Sequence, residues 1–224
     1  MRTAFFVDGY NLYYGLLHGS PHKWLDLPAL LTHILGMQDS SSVLSSVSYY
    51  TSPVIANLAT RGQQSNDAQS RYIRALQAKG VSVTLGRHRL AKGYAPRYID
   101  GEKASRRDQV AIWQLEEKET DVNLALGMYR AGCRSDELQI EQIVLVSGDT
   151  DLAPALAAIR SDFPHIRIGV ILPHRHEQRD PPGSLMKHTH WMRRHVPESE
   201  LAFFQLPPKV PLPKKPAIVK PDYW

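Results

Sequence analysis

The chain has 224 residues, of which 42% are hydrophobic and 22% charged, a balance typical of a folded soluble domain with a substantial core. No apolar run approaches the ~20 residues that cross a bilayer, and the N-terminal segment is too short and too acidic for a signal peptide, so no membrane association is expected. The lone Cys133 excludes an intramolecular disulfide and a multi-cysteine zinc site, and it favours a reducing cytoplasm.

Strand and helix signals alternate along the first 172 residues. The signals are typical of strands at residues 3–8, 43–51, 81–85, 143–147 and 166–172, and of helices at residues 9–17, 27–36, 66–79, 150–160 and from Thr120 onward. In the helix that begins at Thr120, the expected inward face carries Val122, Ala125, Leu126 and Tyr129. Alternation of this kind predicts βαβ units, an α/β fold and a mostly parallel central sheet.

The remaining segments give a domain division. Residues 87–107 are basic and irregular and are expected to form a loop or a hairpin, followed by a short added strand at residues 109–115. We expect one domain at residues 1–172, an extension at 173–205 that packs on it, and a Pro- and Lys-rich tail at 206–224. The tail carries four Lys and one Asp, and we expect an extended arm that builds no core.

The net charge of +5 is unevenly distributed. Residues 61–107 contain eleven Lys and Arg against three acids, whereas residues 108–151 contain ten acids against three Lys and Arg. A basic segment beside an acid-rich one suits an anionic substrate brought to a cation-binding site. A mixed, solvated surface explains the charges equally well when they are taken alone.

Acidic residues follow the predicted strands or open the predicted helices at four positions. Asp8 and Asp149 each come after a buried strand, while Asp121 and Asp151 lie at helix starts. Because the carboxyl ends of parallel strands meet at one edge of a sheet, we expect these carboxylates to lie together. Crowded carboxylates repel one another unless a cation neutralises them, and Mg²⁺ or Mn²⁺ suits an all-oxygen shell.

An ordinary structural role is the alternative for two of these acids. Asp is a common N-cap, so Asp121 and Asp151 taken singly are more often helix-start residues. Asp8 and Asp149 are different, because each lies beside a glycine that lets the backbone approach closely. Together the four positions favour a metal-dependent site.

Three strings make the pattern specific: FFVDGYN at residues 5–11, EKETDVNLA at 117–125 and VSGDTDL at 146–152. They resemble, in order and spacing, the three motifs of the NYN family within the PIN-like ribonucleases, and KWLDL at residues 23–27 is similar to a bacterial subgroup. The resemblance implies a Rossmannoid three-layer fold with an acidic Mg²⁺ or Mn²⁺ pocket that hydrolyses RNA phosphodiesters. Glu119 stands where the family usually has glycine, and this extra acid either perturbs the metal site or points to solvent.

The resemblance also implies roles for individual residues. Asp8, Asp121 and Asp149 would be the metal ligands, with Asp151 a direct or water-mediated partner. The further catalytic positions are Asn11, which would orient a ligand or the scissile phosphate, Ser147, which would hydrogen-bond within the acidic cluster, and Lys118, which would offset phosphate charge or is simply a surface lysine.

Binding residues outside the motifs are less specific. The candidates for phosphate contacts are Arg71, Arg74, Arg87 and Arg89. Three tyrosines of the first helix could stack a base, although aromatic residues there more often pack in the core: Tyr10, Tyr13 and Tyr14. Two His-x-His pairs are read as solvated loop histidines rather than metal ligands: His174, His176, His188 and His190.

The expected function is therefore a cytoplasmic, Mg²⁺- or Mn²⁺-dependent endoribonuclease that acts on single-stranded or structured RNA, with homo-oligomerisation left open. The resemblance keeps a second enzyme open, because some family members of this size are NADH-dependent hydroxylases of a succinylated hydroxypyridine in nicotine breakdown. No Gly-x-Gly-x-x-Gly cofactor motif follows any predicted strand, so the residues give that alternative little support. A non-catalytic RNA-binding module is the third alternative.

Overall fold

The computed structural model describes residues 1–177 and 180–224; residues 178 and 179, inside the predicted extension, lie outside it. The elements follow in the order β1 (Arg2–Asp8), α1 (Gly9–Leu12), a π-helical turn (Tyr13–Leu17), α2 (Leu27–Gln38), β2 (Val43–Thr51), a 3₁₀ turn (Ala56–Leu58), α3 (Gln63–Ala78), β3 (Ser82–Leu85), β4 (Arg87–Pro96), β5 (Gln109–Lys118), α4 (Thr120–Cys133), α5 (Ser135–Leu138), β6 (Gln142–Val146), a 3₁₀ turn (Thr150–Leu152), α6 (Ala153–Asp162), β7 (Arg167–Ile171), α7 (Gly183–Met186), β8 (Trp191–Arg193), α8 (Glu198–Phe203), β9 (Lys209–Leu212) and β10 (Lys215–Val219).

A parallel sheet forms the centre of the molecule. In the described residues its strand order is β3-β2-β1-β6-β7-β8, and each neighbouring pair is parallel. The chain first builds outward from β1 to β3 and later outward in the other direction from β6 to β8. The order therefore reverses between β1 and β6, and the carboxyl ends of these two strands border a crevice where α/β proteins bind ligands.

Helices cover both faces of the sheet, so the fold has three layers. Side chains of β1 alternate between the two cores, with Phe5 and Val7 facing α2 and α3, and Ala4 and Phe6 facing α4 and α6. The predicted α/β fold with a mostly parallel sheet is confirmed. Helices of the described residues are all too short or too polar to span a bilayer.

The predicted inward face of α4 was wrong in part, since only two of its four residues, Ala125 and Tyr129, pack against the core. Val122 and Leu126 are 62% and 47% exposed, while Leu124 and Met128 are fully buried. The helix carries two overlapping apolar stripes, and close approach to the sheet selects between them. A Cβ on Gly127 would lie 2.1 Å from the Tyr50 hydroxyl, so the face that contains this glycine is the one that can approach β2.

The basic segment forms an antiparallel hairpin of β4 and β5 that lies outside the central sheet. Residues 87–107 were expected to form a loop or a hairpin, and the hairpin is confirmed. The added strand, β5, extends to Lys118 instead of ending at residue 115. Besides its basic residues, the hairpin exposes large aromatic side chains: Tyr94 and Trp113 are 75% and 64% exposed.

The expectation of an extended arm beyond Gln205 was also wrong. Strands β9 and β10 form a hairpin whose Val210 and Ile218 are buried in the core beside α3. The carbonyl of Pro207 accepts a hydrogen bond from Trp24 Nε1 at 2.9 Å. The Pro and Lys content concealed a few well-spaced apolar residues, and the domain supplies the surface on which they pack.

Candidate active site

Asp8 is the innermost acid of the site. It ends β1 and is only 4% exposed. Its Oδ1 accepts a hydrogen bond from the Asn11 amide and its Oδ2 accepts one from Ser147 Oγ, each at 3.0 Å. Burial raises the pKa of Asp8 despite these donors, and the charges of Glu117 and Asp149 raise it further. The ionised form therefore needs a positive partner.

The turn after β6 is joined to the turn after β1 by hydrogen bonds. The Gly148 amide donates to Asn11 Oδ1 at 3.0 Å, and the Asp149 amide donates to Ser147 Oγ at 3.0 Å. Ser147 is fully buried and contacts both acids of the crevice, since its hydroxyl donates to Asp8. The hydrogen bond predicted for Ser147 within the cluster is therefore present in the structure.

Asp121 completes the cluster from the first turn of α4. One carboxylate oxygen from each of Asp8, Asp121 and Asp149 lies within 4.8 Å of the other two. We call these three residues the acidic triad. Partial burial raises the pKa of Asp121 to about 6, and the charges of Asp8 and Asp149 add to the effect. The donor set consists of hard carboxylate oxygens with excess negative charge, which fits Mg²⁺ or Mn²⁺.

Asp151 lies beside the triad without joining it. Its backbone amide donates to Asp149 Oδ1 at 2.9 Å, its side chain is exposed, and its charge contributes to the raised pKa of Asp121. Its direct or water-mediated metal contact stays a prediction.

The predicted basic residues fall into two groups. Arg87, Arg89 and Lys118 line a cavity of about 520 Å³ on the hairpin, together with His88. Lys118 forms an ion pair with Glu116 at 2.7 Å. Arg71 and Arg74 lie on the exposed face of α3, and no contact in the described part of the chain joins them to the triad. Their phosphate role stays a prediction.

Glu119 shows why glycine is usual at its position. Its φ is +77°, a left-handed conformation that costs a side-chain-bearing residue about 1 kcal/mol. Its carboxylate forms an ion pair with Arg87 Nε at 2.7 Å, at the rim of the hairpin cavity. Of the two expectations for this acid, the structure favours a surface contact over a place in the triad.

Sequence reasoning missed Glu117. Its Oε1 accepts a hydrogen bond from Thr120 Oγ1 at 2.6 Å, and its charge raises the pKa of both Asp8 and Asp121. A strand prediction that reached Lys118 would have placed Glu117 next to the start of α4 and could have found it. His174 was also assigned only to a solvated loop. It is half-buried, and a Cβ on Gly148 would lie 3.7 Å from its Nε2, so its imidazole lies at the turn that carries Asp149.

A second concavity begins at the turn after β1. It holds about 470 Å³ and its wall begins at Gly9 and Tyr10, the two residues after Asp8. Tyr10, Tyr13 and Tyr14 all line this space. Tyr13 also packs against the core, as expected for an aromatic residue of the first helix, whereas Tyr14 is 62% exposed; base stacking by the three tyrosines stays a prediction. We call this concavity the aromatic pocket.

A parallel sheet between two layers of helices, with a carboxylate triad at the point where the strand order reverses, is the arrangement of PIN-like domains. The family model described as NYN domain matches residues 2–186. The chain belongs to the NYN domain family.

Two similar proteins extend this result. The 6-hydroxy-3-succinoylpyridine 3-monooxygenase of Pseudomonas putida is 38% identical over 246 aligned positions, which cover 100% of this chain and 75% of the relative. A solved structure of a Vibrio parahaemolyticus protein of unknown function aligns with a TM-score of 0.52 and 16% identity, over 92% of this chain and 96% of that one. At this identity the solved structure supports the fold alone.

Proposed function

We propose that this protein is a divalent-metal-dependent endoribonuclease that hydrolyses RNA phosphodiesters at the acidic triad. One observation carries the proposal: three carboxylates from β1, α4 and the turn after β6 meet within 4.8 Å at the switch point of the sheet. Burial and, to a smaller extent, the charges of neighbouring carboxylates raise the pKa values of Asp8 and Asp121, so the ionised cluster is unfavourable without a cation. Family membership supports the same class of chemistry.

Asp8, Asp121 and Asp149 would hold the ion, Mg²⁺ or Mn²⁺. When bound, such an ion lowers the pKa of a water molecule and neutralises charge on a phosphate. The chain itself fixes the geometry: Ser147 donates to Asp8 and accepts from the Asp149 amide, and Asn11 holds the Gly148 amide. The side-chain oxygen of Asn11 accepts this hydrogen bond. Its side-chain nitrogen forms no hydrogen bond within the described residues and would orient a phosphate oxygen.

The RNA backbone would follow the basic face of the β4–β5 hairpin. Arg87 and Lys118 already pair with Glu119 and Glu116, so part of their charge is compensated. Arg89 forms no ion pair within the described residues, although the charge of Glu116 opposite it in the hairpin acts on it, and it also lines the hairpin cavity. We therefore assign it the largest phosphate contribution of the four candidate arginines.

The test is cleavage of labelled RNA by the full chain with Mn²⁺ or Mg²⁺, alongside Asp8→Asn and Asp149→Asn. Asp136→Asn, an exposed acid on α5, is the matched control. Both triad variants should lose cleavage and Mn²⁺ binding by calorimetry, while the control retains both. Cleavage that survives both triad substitutions would show that the triad is not the catalytic site.

A second candidate is a monooxygenase that acts on an aromatic ring. Two observations favour it: the 38% identity to a 6-hydroxy-3-succinoylpyridine 3-monooxygenase along the whole chain, and an aromatic pocket whose wall includes the two residues that follow Asp8. The test is NADH and O₂ consumption with 6-hydroxy-3-succinoylpyridine, with hydroxylated product identified by mass spectrometry. Turnover of the pyridine without RNA cleavage would replace the ribonuclease proposal. RNA retention without either reaction would indicate a binding module.

A further inference from the structure

The aromatic pocket has the dimensions of a ligand site that the triad does not use. Its volume of about 470 Å³ lies within the usual range for small-molecule pockets, about 300–1,000 Å³. Its wall combines segments that are distant in sequence: the turn after β1, the end of β2, α3 and the last two residues of the chain. A packing defect would lack the polar and charged groups found here.

Aromatic rings dominate this wall in two groups. Tyr10 and Tyr14 are nearly parallel, with ring centroids 6.0 Å apart and an interplanar angle of 17°. In the second group, Trp224 contacts Tyr72 with ring centroids 5.7 Å apart. Stacking on tyrosine and tryptophan is tolerant of ring identity but requires a flat ligand. These residues therefore select a planar aromatic ring.

The charges in the wall select an anion. Lys23, Arg61, His18 and His88 line the pocket, and no Asp or Glu of the described residues does so. Lys23 forms no ion pair in the part of the chain that the structure describes, which leaves its ammonium available. Arg61 lies over the ring of Tyr223, 4.7 Å from Cζ to the centroid, which holds its guanidinium at the pocket rim.

The C-terminal residues are fixed in place as part of this wall. The hydroxyl of Tyr223 donates to the carbonyl of Gln64 at 2.8 Å, and the ring of Trp224 also contacts Trp24, with centroids 6.3 Å apart. The wall also includes Gly9 and Tyr10, which directly follow Asp8 in the chain, whereas none of the three triad residues lines the pocket.

We infer that the aromatic pocket binds a planar aromatic ring that carries an anionic group, and that Trp224 and Arg61 form its ring-stacking and anion-recognising sides. A nucleotide base with its phosphate and a pyridine with an acidic side chain share this chemistry. The inference goes beyond the proposed hydrolysis, because binding is measurable when the triad is disabled.

The experiment measures affinity by calorimetry for the full chain in an Asp149→Asn background, so that loss of catalysis and loss of binding are separate results. The probes are uridine monophosphate and nicotinate, with uridine and nicotinamide as uncharged counterparts and ribose phosphate as an anion without an aromatic ring. At least one of the two anionic aromatic probes should bind. The probe that binds more tightly identifies whether the natural ligand is a nucleotide or an acidic pyridine. Ribose phosphate should bind at least about tenfold more weakly.

Three variants assign the roles. Trp224→Ala should weaken the bound anionic aromatic about tenfold, and Trp224→Phe should restore most of that loss. Arg61→Gln should weaken the anionic probe and leave its uncharged counterpart unchanged. Phe203→Ala, an exposed aromatic on α8, is the control and should have no effect. Equal binding of ribose phosphate, unchanged affinity in both Trp224→Ala and Arg61→Gln, or no binding of either anionic aromatic would overturn the inference.

Discussion

The acidic triad and the aromatic pocket meet at the turn after β1 but are built by different interactions. Two members of the triad, Asp8 and Asp149, are held by directional hydrogen bonds from backbone amides and the Ser147 hydroxyl, within segments at the ends of two neighbouring strands. The pocket is held mainly by ring packing, with one cation–π contact between Arg61 and Tyr223 and one hydrogen bond from Tyr223 to Gln64. Directional bonds fix atoms for chemistry, whereas ring packing fixes a shape for selection.

The difference has a practical consequence. Substitutions in the triad should change metal binding and leave the aromatic pocket intact, and substitutions in the pocket should do the reverse.

Asp8→Asn should lower Mn²⁺ affinity at least about 100-fold, because it removes the most buried carboxylate of the triad. This loss is larger than the roughly 10–100-fold loss that is typical when a residue that only supports a metal ligand is substituted. Affinity of the pocket for its anionic aromatic probe should stay within about twofold. Calorimetry with each ligand measures both. Unchanged Mn²⁺ affinity would remove Asp8 from the metal site, and a parallel loss of probe binding would show that the two sites are one.

Ser147→Ala should lower Mn²⁺ affinity about 10–100-fold, since Asp8 and the Asp149 amide each lose a hydrogen-bond partner in a fully buried position. The same loss should reduce the free energy of unfolding by about 1–3 kcal/mol. Calorimetry and urea unfolding measure the two effects. Ser161→Ala, on an exposed position of α6, should change neither quantity.

Asp121→Asn should stabilise the metal-free protein near pH 8 and leave it unchanged near pH 4. The pKa of Asp121 is raised from 3.8 to about 6, so the folded state holds the proton more tightly than the unfolded chain. Stability is therefore lost as pH rises from about 4 to 6 and the loss is complete above about 6. We expect a gain of about 1 kcal/mol, since solvent screens this accessible carboxylate.

Urea unfolding in EDTA at both pH values tests this effect, with Asp136→Asn as the control. Added Mn²⁺ should make the wild-type protein more stable than Asp121→Asn near pH 8, because the ion binds the wild-type triad more tightly. An equal gain at both pH values would mean that the ionised carboxylate of Asp121, disfavoured by burial and by its acidic neighbours, is not the cause.

Glu119→Gly should raise the free energy of unfolding by up to about 1 kcal/mol, because glycine adopts the positive φ at this position without strain. Glu119→Gln keeps the strain and removes only the ion pair with Arg87, so it isolates that exposed contact, which we expect to contribute less than about 1 kcal/mol. Thermal unfolding of both variants separates the terms. Destabilisation by glycine that exceeds the effect of glutamine would contradict the strain argument.

The sequence alone predicted the α/β fold and the placement of acids at the ends of β1 and β6. Alternating apolar segments specify βαβ units, and parallel strands bring their carboxyl ends to one edge. Asp8 and Asp149 could therefore be expected to meet from the sequence alone. The three motifs extended this expectation to Asp121, which the structure places with them. The roles of these residues in metal binding and catalysis stay predictions.

Local signals could not give the buried face of α4, the packing of the C-terminal segment or the aromatic pocket. The face of α4 depends on Gly127 meeting Tyr50, a contact between residues 77 positions apart. Val210 and Ile218 are buried and Trp224 is partly buried because the rest of the domain offers a surface to them, which composition does not reveal. Backbone periodicity fixed the strands and the acids at their ends, whereas close packing between distant segments decided which side chains surround them.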